Sequence, residues 1–220
     1  MKGQRERVAS NFHEFRMGGI ASGTLYRSSH PITDASAEDA REIAESAVKA
    51  RIAAVLNLCD TKTFLTKIVK TAPWYHRLFK ENKVIALDMG FDFLSTRFCT
   101  KLRRGIQFML THDGPYLLHC HAGIDRTGFV CAVLGALMGA KLGDIVSDYI
   151  ASYNDKSLTD DYPEFTGFIL DDFRKLNGGE EITDANLQDV AENFLEHKVK
   201  LTRDEIAELK EKLTIKRKGA

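Results

Sequence analysis

The sequence predicts an α/β fold, a mainly parallel, twisted sheet with helices on both faces. Three observations carry this. Apolar runs at 52–58, 84–87 and 116–118 are short and continuous, the pattern of strands buried on both sides. Helix-length segments separate them, and strands alternating with helices build parallel sheets. The third run passes through a short glycine-bearing loop into a second apolar run, Phe129 to Met138, in the order strand, tight loop, helix.

Taken along the chain, Thr24 to Ser28 reads as a short strand. Ala35 to Ala50 follows as an amphipathic helix, with Ile43, Ala44, Ala47 and Val48 at helical spacing. Ile52 to Leu58 is a buried strand, and Lys62 to Thr71 a helix that stops before Pro73. After the Val84 strand, the apolar spacing predicts a helix over Ser95 to Leu110. The strand into Cys120 comes next, then helices from about Thr127, Leu142 and Asp161. Near the C-terminus, Leu187, Val190, Ala191, Phe194 and Leu195 form one helical stripe. Thr202-Arg203-Asp204-Glu205 is a capping box, with Leu201 placed to staple onto Ile206. Asn177-Gly178-Gly179 is a joint before this pair, which reads as helices finishing the same domain, with a lid or self-association element as the alternative. The expected organisation is one domain over 1–220: a core of about 8–176 and a C-terminal helical extension at 183–213.

Lys plus Arg and Asp plus Glu both number 31, so no bulk charge points to nucleic acid or to an anionic membrane surface. No stretch approaches the length of a membrane span. The charged start, Met1 to Arg7, lacks the apolar core of a secretory signal, and Lys216 to Ala220 reads as a solvated tail. Four cysteines, Cys59, Cys99, Cys120 and Cys131, do not resemble a disulfide framework, so the expected compartment is the reducing cytoplasm.

The chemistry concentrates in His119-Cys120-His121-Ala122-Gly123-Ile124-Asp125-Arg126-Thr127-Gly128. A thiol is a weak nucleophile at neutral pH, and a helix N-terminus favours its thiolate through unpaired N–H groups and the helix dipole. Loop amides pointing inward make a nest for phosphate oxygens. Gly123 and Gly128 permit the close turn. Arg126 brings a rigid fork that holds two oxygens at once, which a lysine does less well. In that setting Cys120 attacks phosphorus and water later releases a cysteinyl-phosphate. Thr127 is placed to hydrogen-bond the sulfur, and His119 to brace the loop from behind.

The ten residues resemble the signature loop of the cysteine-dependent protein tyrosine and dual-specificity phosphatases, His-Cys-x5-Arg-Ser/Thr. Leu25-Tyr26-Arg27-Ser28-Ser29-His30-Pro31 and Asp144 to Asn154 are similar to segments of a bacterial tyrosine phosphatase branch, so the resemblance spans about residues 8 to 176. It implies a protein tyrosine phosphatase-like fold, with Cys120 as nucleophile, Arg126 as phosphate clamp and Thr127 as the hydroxyl beside them. The phosphate-binding loop is then His121, Ala122, Gly123, Ile124, Asp125 and Arg126. It also implies a general acid, an Asp some thirty residues before the cysteine.

Asp88 leaves the Val84 strand 32 positions before Cys120 and is the first choice for that acid; Asp125 and Asp92 are the others. Some dual-specificity phosphatases carry a second cysteine that bonds the oxidised nucleophile, and Cys59, at a strand end, is the candidate redox partner here; otherwise it is a buried small residue. Trp74-Tyr75-His76 with Phe91 and Phe93 could wall a substrate ring or simply pack the core. His112, His119 and His121 suggest no metal, because a thiolate–arginine loop is the wrong setting; no cofactor is expected.

The expected substrates are a phosphorylated protein or a small phosphorylated molecule. Relatives acting on inositol phosphates or phosphoinositides often carry loop lysines, where this chain has His121, Ile124 and Asp125. That activity would need a basic rim, for which Lys62, Lys67, Arg97 and Arg103 are the candidates. A phosphate-binding module without turnover is the reading from another class.

Overall fold

The computed structural model describes residues 10–33, 36–153 and 163–215. The expectations for Met1 to Arg7, Ala35, Asn154, Asp161 and Lys216 to Ala220 lie outside these residues. Five strands form one sheet in the order β1 (His13–Glu14), β2 (Leu25–Ser28), β5 (Tyr116–His119), β3 (Ala54–Asn57), β4 (Val84–Ala86). Only β1 is antiparallel. Leu25 and Ala54 both face Tyr116 in register, and Ser28 and Asn57 both face His119. The carboxyl ends of β2, β3 and β5 therefore stop level with one another, with β4 alongside.

Period-two alternation splits the strands between two cores. Leu25, Ala54, Leu56, Tyr116 and Leu118 face one side, while Tyr26, Val55 and Leu117 face the other. Helices α1 (Ala37–Lys49), α2 (Lys62–Ile68) and α3 (Pro73–Lys80) cover the second side through Ala47, Leu65, Tyr75 and Leu78. Each of the first two starts on a side-chain cap, Ser36 boxed with Asp39 and Thr61 bonded to the Phe64 amide. The helix expected over Lys62 to Thr71 ends as a 3-10 turn at Val69–Thr71, and Pro73 then begins a new one. Proline suits a first helical position because it has no N–H to leave unpaired.

The first side is covered by α4 (Thr96–Thr111), α5 (Asp125–Leu137) and α6 (Leu142–Ala151), with α7 (Pro163–Leu176), α8 (Leu187–Asn193) and α9 (Arg203–Thr214) beyond them. Arg126 to Leu137 is buried at every position, as expected of a helix apolar all round and enclosed on every side. The predicted stripe of α8, continuing through a π-helical stretch at Phe194–Lys198, is buried against it, with the Phe194 ring 5.9 Å from Phe129. The capping box at Thr202 and Glu205 forms as predicted. Gly178 and Gly179 take φ of +68° and +95°, the turn expected at that joint. The end of α9 returns to the sheet, where the Ala21 amide bonds the Leu213 carbonyl and Thr24 Oγ1 that of Ile215, both at 2.9 Å. The last helices thus complete the core on the α5 face. Among the described residues, no helix is long and apolar enough to cross a membrane.

Candidate active site

Parallel strands ending together present their following loops to one place, the usual location of a ligand in such sheets. Ser29-His30 follows β2, Leu58-Cys59-Asp60 follows β3, Asp88 to Phe93 follows β4, and Cys120 to Ile124 follows β5 into α5. The helix begins at Asp125, slightly earlier than expected.

The orientation of the Cys120 loop is held from behind. The carbonyl of His121 accepts from the His30 amide at 2.8 Å, and that of Ala122 from Asn11 Nδ2 at 2.9 Å. The carbonyl of Gly123 accepts from Arg27 Nη2 at 2.6 Å. Three consecutive carbonyls are thereby tied to the scaffold, which leaves the amides to face the hollow at the helix N-terminus. Gly123 has φ +76°, and a Cβ there would lie 2.5 Å from the Ser28 carbonyl oxygen, so only glycine lets the loop sit this close to β2. Gly128 serves the next turn, where a Cβ would meet the Tyr149 ring at 2.8 Å.

Cys120 lies at the floor, buried and without a disulfide. Arg126 is 6% exposed, with Nη1 donating to the Met89 carbonyl at 3.1 Å and the Phe91 ring 4.5 Å from its guanidinium carbon. Arg126 Nε and Thr127 Oγ1 are buried with no hydrogen-bond partner among the described residues. Two orphaned polar groups, one of them cationic, are costly unless an anion supplies their acceptors. The arrangement is suited to a tetrahedral oxyanion placed over the Cys120 sulfur.

A buried polar chain supports the floor. Burial pushes the Tyr75 phenol up, so it keeps its proton and donates to His119 Nε2 at 2.9 Å. His119 Nδ1 then faces the Cys120 carbonyl at 3.4 Å. His30 Nδ1 accepts the Ile32 and Thr33 amides at 3.1 and 3.0 Å, which puts the ring proton on Nε2, 2.8 Å from Asp60 Oδ2. Burial opposes charge on Asp60, but the bonds from His30 and Asn57 outweigh it and hold the carboxyl below its ordinary value. His30, Cys59 and His119 have ligand atoms within 4.8 Å of one another, as do Cys59, Asp60 and His121. Asp60 is a carboxylate among these groups that the sequence did not associate with the histidines. Both ring nitrogens of His30 and His119 are already committed, so the buried set does not fit a metal without breaking these bonds.

Burial also holds the His119 pKa well below 6.5, keeping the ring neutral in the fold. Below the unfolded value the unfolded chain takes up a proton that the folded one refuses, so this contribution to stability is lost as pH falls from about 6.5 toward the depressed folded value. One proton corresponds to about 1.4 kcal/mol per pH unit. Urea melts at about pH 7 and about pH 5 are expected to show this loss in the wild type and a shallower one in His119→Asn. Equal slopes would remove His119 as the cause.

Asp88 is 40% exposed on its side chain and bonded by Lys101 Nζ at 2.7 Å and Arg97 Nη2 at 2.8 Å. The Lys101 hydrogen bond, with the charges of Lys101 and Arg97, holds its carboxyl below the ordinary range. Asp92 is exposed, and its carbonyl takes the Ser95 hydroxyl. Asp125 opens α5 beside Arg126, half-buried, with the Tyr149 hydroxyl 3.4 Å from its carboxylate. Trp74-Tyr75-His76 lies in α3, and Tyr75 is fully buried. Phe93 stacks on Phe129 at 4.2 Å and is core, whereas Phe91 is 63% exposed beside Arg126. His112 stacks on Phe108 at 4.0 Å. Arg103 faces Glu205 on α9 at 3.9 Å.

Sequence reasoning missed Asn11, Asn57, Tyr75 and Asp148 as supports of this site, and it did not give Arg27 or His30 a role. One signal was available: Arg27 and Ser28 interrupt a strand that ought to be apolar, and a buried charge needs a reason.

A profile of the tyrosine phosphatase family matches residues 92–215, from the β4–α4 loop through the Cys120 loop to the last helix. The chain belongs to the tyrosine phosphatase family. This phosphatase is accordingly a cysteine-dependent enzyme. Among curated proteins no sequence matches it. Its fold is similar to Pseudomonas aeruginosa TpbA, solved in complex with pTyr: 17% identity over 86% of this chain and 99% of that one, TM-score 0.47. It is also similar to the core catalytic domain of the Saccharomyces cerevisiae PP-IP phosphatase Siw14: 15% identity, 78% and 94% coverage, TM-score 0.45.

Proposed function

We propose that the phosphatase hydrolyses phosphotyrosine, with phosphoserine and phosphothreonine as secondary substrates, through a cysteinyl-phosphate on Cys120. The observation that carries this is the loop itself: three carbonyls tied outward, a buried thiol at Cys120, and Arg126 Nε and Thr127 Oγ1, in the helix that follows, buried without acceptors among the described residues. Substrate phosphate sits against the loop amides of His121 to Arg126 and the Arg126 fork. The Cys120 thiolate forms an S–P bond as the ester P–O bond breaks, and a carboxylic acid protonates the leaving oxygen. Water then attacks phosphorus and returns its proton to the carboxylate. The S–P bond breaks, and Thr127 stabilises the departing thiolate.

The acid we assign is Asp125. It is the first residue of the helix that follows the loop, half-buried and next to Arg126 in the chain, whereas Asp88 is bound by two cations that disfavour its proton. Asp125→Asn is expected to lower kcat by about 10²-fold or more and to flatten the basic limb of the pH–rate profile. Asp88→Asn is expected to keep that limb. A wild-type profile in Asp125→Asn with a collapsed one in Asp88→Asn would return the role to Asp88.

The exposed Phe91 face beside Arg126 favours an aryl phosphate over a polyanion, and Arg97 and Arg103 are engaged elsewhere rather than forming a basic rim. The test is a panel of phosphotyrosine, phosphoserine and phosphothreonine peptides, a phosphoinositide and inositol hexakisphosphate, with wild type and Cys120→Ser. Preference for the phosphotyrosine peptide is the expected result, and preference for the inositol compounds would overturn it. We also propose Cys59, a buried cysteine in the loop after β3, as the redox partner, the alternative being a buried small residue. Peroxide oxidises Cys120 to the sulfenic acid, and the Cys59 thiol displaces water from it to form the disulfide. A cytoplasmic location follows from the need to keep Cys120 reduced.

A further inference from the structure

Arg27 carries a charge into the centre of the sheet, is 0% exposed, and is used by no step of the reaction. One arm of its guanidinium reaches the Gly123 carbonyl at 2.6 Å, and the other is bonded to the Asp148 carboxylate of α6. Asp148 takes a further bond from His13 Nε2 on β1 at 3.0 Å. The Gly128 position leaves 3.4 Å between a built Cβ and Arg27 Nη2, so the guanidinium also packs beneath the first turn of α5. An isolated buried cation is very costly, and the pairing with Asp148 makes this one tolerable and fixes its direction. Burial opposes charge on Asp148, but His13 and Arg27 outweigh it and keep the carboxyl below its ordinary value, ionised at neutral pH.

We propose that Arg27, oriented by Asp148, is a positioning residue for phosphate transfer: it holds the Gly123 carbonyl out of the hollow so that the loop amides stay aimed at the phosphate oxygens. The inference rests on the phosphatase reading of the same loop. Gly123 has the φ of a left-handed residue and no Cβ to hinder its ψ, so resistance to turning over the Gly123–Ile124 peptide comes from Ile124, whose φ of −98° would have to become positive. A flipped peptide would present an oxygen, not an N–H, to the bound anion. Arg27 Nη2 donates to that oxygen on the outer side, so together with Ile124 it sets the balance between the two orientations. The bond is made before substrate arrives, which is the requirement for electrostatic preorganisation.

A residue that merely stabilises the fold would move the melting temperature and leave the folded enzyme's chemistry alone. The measurements are therefore made on folded protein: kcat and KM for a phosphotyrosine peptide, and the inhibition constant of orthovanadate, which occupies the loop as a five-coordinate phosphate mimic. Arg27→Met is expected to lower kcat by about 10²-fold with a smaller change in KM, and to weaken vanadate by at least about tenfold. Arg27→Lys, which supplies one donor and a charge in place of the fork, is expected to recover part of both losses. Should Arg27→Met fail to fold, Asp148→Asn, which conserves shape while removing the orienting charge, is expected to show the same pattern at lower amplitude. Folded variants with wild-type kcat and vanadate inhibition, whatever their melting temperature, would overturn the proposal. A wild type that neither turns over any phosphoester nor binds vanadate would instead overturn the phosphatase reading on which it stands.

Discussion

Cys120→Ser is expected to lose turnover by roughly 10⁴-fold or more while still binding orthovanadate and phosphate. Serine has nearly the size of cysteine, and the loop does not depend on the thiol for its shape. Its carbonyls are tied to His30, Asn11 and Arg27, and Gly123 fits against Ser28 irrespective of the residue at 120. What changes is the nucleophile: an alcohol at the same helix N-terminus stays protonated at neutral pH and attacks phosphorus far more slowly. The two measurements separate cleanly. Steady-state hydrolysis of a phosphotyrosine peptide should vanish, and the inhibitor constant taken from a binding assay should stay within a few-fold of wild type. Residual activity close to wild type would mean that Cys120 is not the nucleophile.

Arg126→Lys is expected to cost about 10²–10³-fold in kcat/KM, on the order of 3–4 kcal/mol. The charge is conserved in this variant, so the loss measures geometry. Arg126 spends Nη1 on the Met89 carbonyl and keeps Nε buried and unpartnered, so the same planar group ties down the β4–α4 loop and faces the anion. A lysine ammonium can reach one of these places and not both, and it lacks the planar guanidinium whose carbon stands 4.5 Å from the Phe91 ring centroid. Both kcat and vanadate affinity should fall together, because the fork acts on the equatorial oxygens in the ground state and more strongly in the transition state. A loss below tenfold would show that charge alone suffices and that the fork is not what holds the phosphate.

The strands and helices were legible from periodicity, because burial on two faces demands continuous apolar runs and burial on one demands a stripe. The α3 helix was the exception. Pro73 reads as a stop, and in the structure it is also the start of the next helix, an ambiguity that local sequence does not resolve. The Cys120–Arg126 loop was legible as a turn from strand to helix because the apolar runs on either side of it mark the two elements. The acid was left among three carboxylates. Asp88 has the expected distance along the chain from Cys120, and Arg97 and Lys101, in the first and second turns of α4, fold back over it and hold its charge. Whether a carboxylate is free to carry a proton depends on neighbours brought in by packing.

The amino-acid sequence by itself determined the fold class and the Cys120–Arg126 loop, since both depend on residues close along the chain. The tertiary structure alone decided what aims that loop. The three groups that hold its carbonyls come from Asn11, Arg27 and His30, about a hundred residues upstream, and the carboxylate that orients Arg27 comes from Asp148, beyond the central helix. Such hydrogen bonds have no signature in local spacing. They exist only because parallel strands end together and bring distant side chains behind one turn of backbone.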